Sequence, residues 1–143
     1  MSILNSTILI FHNALTYILR FSDEIRNPGK MIYVKAPVSG FYELSGDVTG
    51  TNANIKISKG DVVKFDLDVG GHAFWIKTRP GAGTDNAVSL GISGVGQGET
   101  SGLLIWDTTE IMEGIYYYQC QFHEKMFGAI IVAAKKGEPL FMN

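Results

Sequence analysis

Residues 116–128 read YYYQCQFHEKMFG, and this stretch decides the fold. It contains the chain's single cysteine, Cys120, followed by His123 and Met126. A thiol, an imidazole and a thioether on one short segment form a soft, mixed donor set. Such a set suits copper: magnesium and calcium prefer oxygen, and structural zinc usually takes more sulfur or more imidazole. A trigonal copper site with a weak axial methionine needs one further histidine. The chain has three histidines. His12 lies in an N-terminal apolar segment, whereas His72 opens the strand-like run HAFWIKT. The candidate ligands for one copper ion are therefore His72, Cys120, His123 and Met126.

Outward from that loop the signals are those of β-structure. YYYQC, residues 116–120, sets Tyr116, Tyr118 and Cys120 on one strand face. AIIVAAK, residues 129–135, is nearly continuous in apolar residues and predicts a strand buried on both faces. Upstream, VVKFDLDV at 62–69 alternates cleanly, with Val63, Phe65, Leu67 and Val69 on one side and Lys64, Asp66 and Asp68 on the other. After Gly70-Gly71, HAFWIKT puts His72, Phe74 and Ile76 on one face. MIYVKA (31–36), FYELSG (41–46), NIKIS (54–58) and LLIWDT (103–108) supply further strands, separated by Pro37, Gly40 and the turn Lys59-Gly60-Asp61. Many short strands with turns between them predict an all-β, antiparallel Greek-key sandwich over residues 31–135. Residues 79–102 form a long glycine-rich connection, and a loop of that length is expected to be functional or mobile.

The 143 residues suffice for one domain with an extension. Net charge is −2 and charged residues make up 18 %, with no run of Lys and Arg. Nucleic acid and anionic membrane surfaces are therefore not expected partners. A single cysteine excludes an internal disulfide. Residues 3–21 carry no charge until Arg20. They lack the basic start and small-residue cleavage pattern of a secretory signal, and Asn5, Ser6, Thr7, His12, Asn13 and Thr16 interrupt any membrane span. As a helix they align Leu4, Ile8, Phe11, Leu15 and Ile18 in one stripe; as a hairpin they turn at His12-Asn13-Ala14. The stripe tips the reading towards a helix. Either form exposes apolar surface that calls for a partner or a second copy. Residues 1–30 thus read as a docking extension, 31–135 as the domain and 136–143 as a tail.

Each residue singled out also has a plainer reading. A lone cysteine is most often a small buried apolar residue, a lone histidine a hydrogen-bonded structural one, and a lone methionine core filler. It is their joint spacing that favours a metal site. His12 reads as structural or interfacial, Tyr116, Tyr117 and Tyr118 as sheet and core residues, and Asp66, Asp68 and Glu124 as solvated charges. The glycine-rich stretch has no phosphate-cradle motif, and no Ser/His/Asp arrangement suggests a catalytic triad. Catalysis is the least favoured class.

The run Y-x-C-x-x-H-x-x-M-x-G, as Tyr118, Cys120, His123, Met126 and Gly128, resembles the ligand loop of the cupredoxins, the blue-copper proteins. KGDVVKFDLDVGGHAF, ending beside His72, resembles the strand that delivers their first histidine. The resemblance spans about residues 41–135 and implies a trigonal set of His72, Cys120 and His123 with Met126 axial. One departure stands out. Many of those proteins follow the first histidine with an asparagine that braces the cysteine loop; here Ala73 stands there. A second resemblance, in GHAFWIKT, RPGAGTDNAVSLGISG and YYYQCQFHEKMFGAIIV, is to cupredoxin-like modules in structural proteins of marine tailed phages, cyanophages especially. It implies a structural or decoration protein of a virion, joined to other virion proteins or to copies of itself through residues 1–25. This is the leading expectation from the sequence. The alternative is a small soluble blue-copper electron-transfer protein, housed in the periplasm or another electron-transport compartment.

Overall fold

The computed structural model describes residues 29–38 and 40–135. The helix or hairpin expected over 3–21 and the tail 136–143 lie outside the described residues. Ten strands are present: β1 (Lys30–Lys35), β2 (Glu43–Gly46), β3 (Gly50–Thr51), β4 (Ile55–Ser58), β5 (Val62–Asp68), β6 (Phe74–Lys77), β7 (Ile92–Gly94), β8 (Ser101–Asp107), β9 (Gly114–Cys120) and β10 (Phe127–Ala133). They form two sheets, ordered β3-β2-β1-β5-β8-β7 and β4-β10-β9-β6. The described residues contain no helix.

Alternation builds both sheets. In β5, Val63, Phe65 and Leu67 are buried while Asp66 and Asp68 face solvent. Their partners Ile32, Val34, Leu104 and Trp106, with Leu44 of β2 opposite Val34, meet Ile55, Ile57, Phe74, Ile76, Tyr118, Ile130 and Val132 of the other sheet in one core. The expected antiparallel sandwich is present with one parallel pair in each sheet, β1 with β5 and β4 with β10. In β10 only one face is fully buried; Phe127, Ala129 and Ile131 on the other are half-covered. β10 lies between β4 and β9, so among the described residues the apolar run marks a central strand position rather than full burial on both faces.

The chain changes sheets at Lys59-Gly60-Asp61, between β4 and β5. The Asp61 carboxylate accepts from Ser58 N (2.9 Å), and Gly60 takes φ 96°. Thr108, fully buried at the end of β8, locks this turn: its hydroxyl donates to Asp61 O (2.7 Å) and accepts from Gly60 N (3.0 Å). Gly128 is required for a different reason. A Cβ there would collide with the ring and hydroxyl of Tyr118, its cross-strand partner, whose hydroxyl donates to Ala53 O (2.7 Å).

The glycine-rich connection 79–102 is pinned along much of its length, and it includes β7. Gln97 acts as a surrogate strand against the open edge of β6: its side-chain oxygen accepts from Ile76 N (2.8 Å), and its Nε2 donates to Ile76 O and Val88 O (2.9 Å each). Gly98 N donates to Phe74 O, and Phe74 N to Glu99 O. An edge strand with unpaired amides is a liability, and this loop covers it.

Candidate metal centre

β9 runs to Cys120 at one end of the second sheet. There the chain turns through 121–126 and returns as β10. Cys120 N donates to Met126 O (2.9 Å) and Met126 N to His123 O (3.1 Å), so the loop closes on itself by main-chain bonds. His72 arrives from the turn that precedes β6, held by His72 N to Val69 O (2.8 Å). β6 pairs with β9 in a register that sets Phe74 opposite Cys120, which brings the His72 turn beside the cysteine loop.

The three donors converge. Cys120 Sγ lies 3.4 Å from His123 Nδ1 and 3.7 Å from His72 Nδ1. The two imidazoles sit with centroids 4.9 Å apart, tilted by 36°. All three donor atoms fall within 4.8 Å of one another. The cysteine is fully buried and both histidines are half-buried, so the cluster is dry on its sulfur side and open at its imidazole rim. Among the described residues no other group of three His, Cys, Asp or Glu side chains converges in this way. Met126, the fourth predicted ligand, has a fully buried side chain within the core. Its main chain bonds to both Cys120 and His123, as above.

The surroundings hold the donors from three directions. Gln119, fully buried, spreads its amide under the loop: Nε2 donates to His123 O (2.7 Å), Cys120 O (3.0 Å) and more weakly to Glu124 O (3.4 Å), while Oε1 accepts from Gly81 N (2.9 Å). Gly83 N donates to Gln121 O and Ala82 N to the Glu124 carboxylate. Trp75 Nε1 donates to Gln121 Oε1 (3.0 Å). Lys77, also buried, donates from Nζ to Gly81 O and Gly83 O, which folds residues 79–88 back over this face. Burial pushes the Lys77 ammonium below its ordinary pKa, against opposing pulls from Asp85 and Glu124.

Ala73 cannot offer a side-chain brace, but its carbonyl does the work: Gln121 N donates to it (3.0 Å). From the opposite sheet, the Tyr42 hydroxyl donates to His72 O (2.8 Å) and approaches Ala73 O (3.4 Å). Burial, together with the nearby Cys120, keeps that phenol far above its ordinary pKa and therefore neutral. Burial raises Tyr118 likewise. Neither Tyr42 nor Gln119 stood out in the sequence. Gln119 interrupts an apolar strand next to the cysteine, and that interruption was its only available signal.

Truncation of the Gln119 amide is an informative perturbation. Gln119→Leu leaves three carbonyls and the Gly81 amide without their partner, at about 1–3 kcal/mol for each group that stays dry. We expect a stability loss of at least about 2 kcal/mol by chemical denaturation and a Cu(II) affinity lower by roughly 10-fold to 100-fold. A variant with unchanged stability and affinity would show that the amide does not organise the loop.

What the donors can do follows from their kind. One thiolate and two imidazoles, held close by a preformed scaffold, make a single site suited to copper; a carboxylate-free set disfavours magnesium, calcium and manganese.

No protein-family model matches the chain, and no curated protein matches it. Among solved structures it is similar to reduced rusticyanin, with 24 % identity over 71 % of this chain and 77 % of that one, TM-score 0.47. It is similar also to a methionine-to-glutamine variant of rusticyanin, with 22 % identity over 71 % of this chain and 76 % of that one, TM-score 0.47. Among the described residues no helix is long and apolar enough to cross a membrane.

Proposed function

We propose that the chain is a cupredoxin-type protein that would hold one copper ion through His72, Cys120 and His123, with Met126 as a fourth and weaker ligand, and that transfers single electrons. The observation that carries this reading is the convergence of a buried thiol and two imidazole Nδ1 atoms at 3.4 and 3.7 Å. The ion would supply a one-electron couple. The chain's own part is to hold the donors in one arrangement for both oxidation states. Main-chain closure of the cysteine loop, the Gln119 amide and the β6–β9 register all favour that rigidity. The buried sulfur side keeps water from the thiolate, while the half-buried imidazole rim leaves a short way to solvent. Since the thiol must lose its proton to bind, affinity falls as pH falls.

The test is a titration of metal-free protein with Cu(II), followed by absorption spectroscopy and metal analysis. One equivalent taken up with an intense thiolate-to-copper band supports the reading. A colourless protein that retains no copper overturns it.

The virion structural role rests on the resemblance to phage modules and on residues 3–21, which carry no charge until Arg20, and would be exercised through residues 1–25. It is compatible with a copper site and differs in what it says of assembly. The division into extension, domain and tail predicts that a chain lacking residues 1–25 folds. Its melting temperature should lie within a few degrees of the full chain, and it should be monomeric by light scattering. Equal assembly by both forms would remove the docking role; failure of the short form to fold would remove the domain boundary.

A further inference from the structure

The geometry points to Tyr42 as the positioning residue of the metal centre, reaching from the opposite sheet to fix the His72 main chain. This rests on the copper reading above. Tyr42 lies just ahead of β2 in the first sheet, yet its ring crosses the core to pack on Phe74 (5.3 Å) and Tyr118 (6.0 Å) of the second. It is fully buried, and its own main chain is anchored by N–H donation to the Asn52 side chain (2.8 Å). The hydroxyl therefore sits at the end of a rigid lever. There it donates to His72 O at 2.8 Å and approaches Ala73 O at 3.4 Å.

Two features make this contact more than packing. Residue 73 is alanine, so no side chain there can tie the His72 turn to the cysteine loop; the tie consists of the Ala73 carbonyl, which receives Gln121 N, and the Tyr42 hydroxyl. The hydroxyl's bond to His72 O holds the main chain of the residue whose Nδ1 faces the Cys120 Sγ at 3.7 Å. Its one hydrogen is committed to that carbonyl, so Tyr42 acts on the site by fixing where the His72 imidazole stands. The ring cluster of Tyr42, Phe65, Phe74 and Tyr118 holds the hydroxyl in place, with centroid separations of 5.1–6.0 Å.

The experiment compares Tyr42→Phe with the full-length wild type and with Tyr118→Phe. Tyr118→Phe removes another buried hydroxyl of the same cluster, one that bonds Ala53 O and neither His72 nor Ala73. Each protein is loaded with Cu(II); band position, midpoint potential and affinity are measured, along with thermal unfolding of the metal-free form. For Tyr42→Phe we expect the thiolate-to-copper band and the midpoint potential to move as His72 loses its anchor, and affinity to drop by about 10-fold or more. Tyr118→Phe should lose stability with its band unmoved. Should Tyr42→Phe not fold, a ring-fluorinated tyrosine incorporated at position 42 keeps the shape and strengthens the bond to His72 O, and its copper affinity should exceed that of the wild type. A coloured wild type whose band and affinity are unmoved by either change at position 42 overturns this inference alone. A wild type that stays colourless overturns the copper reading and this inference with it.

Discussion

Cys120→Ser is expected to abolish the thiolate-to-copper band entirely and to lower Cu(II) affinity by more than the roughly 100-fold that loss of an outer partner costs. The substitution is nearly isosteric, so its effect on the fold is separable from its effect on the site. Cys120 is fully buried and its Sγ lies 3.4 Å from His123 Nδ1 and 3.7 Å from His72 Nδ1. A serine hydroxyl in its place is a harder, neutral donor that does not ionise at working pH, and copper's preference for soft sulfur is lost. The hydroxyl can still bond to His123 Nδ1, so the metal-free protein should lose no more than about 1–2 kcal/mol. Copper titration followed by absorption and metal analysis reads the first effect, and thermal unfolding without metal reads the second. Persistence of an intense visible band in the serine variant would mean that sulfur is not a ligand.

Phe74→Ala is expected to cost the most stability of any single truncation near the site, about 3–5 kcal/mol. Phe74 is fully buried and contacts three other rings: Tyr42 at 5.3 Å, Phe65 at 5.1 Å and Tyr118 at 5.7 Å. The cavity would open between the sheets where neither can easily collapse, since both are fixed by strand pairing. Phe74 also lies opposite Cys120 in the β6–β9 register and two residues from His72. Loss of its ring should therefore loosen the cysteine–histidine geometry and weaken copper binding as well. Denaturant unfolding of the metal-free protein measures the first effect. A loss below about 1 kcal/mol would show that the aromatic cluster is not the keystone of this end of the sandwich.

Much of the architecture is legible in the chain because alternation is a local signal. Residues 62–69 show it most clearly, and β5 follows it residue by residue, with Val63, Phe65 and Leu67 in and Asp66 and Asp68 out. The apolar run 129–135 misled in one respect. Central strands and doubly buried strands both read as apolar, and only the neighbours of β10 decide between them. The glycine-rich stretch 79–102 misled in another. Its composition signals freedom, but Gln97, Lys77 and Gln119 tie it down through partners 4 to 38 residues away. Such bonds leave no periodic trace.

The outward face of β6 and β9 shows why polar residues are hard to read. Lys77 and Gln119 occupy positions that alternation assigns to solvent, and both are buried. They are dry because residues 79–88 fold back across them and offer carbonyl and amide partners. Burial of an amine or an amide is tolerable only with such partners, so the loop and the two side chains require one another.

The sequence by itself determined the donor types and their spacing. One cysteine, with a histidine and a methionine at fixed intervals after it, leaves few chemistries open, because ligand softness is a property of the side chain and not of the fold. It also determined a β-sandwich, through alternation that any reader of residues 62–69 can follow. Only the tertiary structure decided that His72, forty-eight residues before Cys120, reaches the sulfur. That approach depends on β6 pairing with β9, a long-range register that no local pattern encodes. Only the tertiary structure, too, placed Tyr42 and Gln119 around the donors. Their roles come from which buried carbonyls need a partner, and that need arises only once the two sheets have closed.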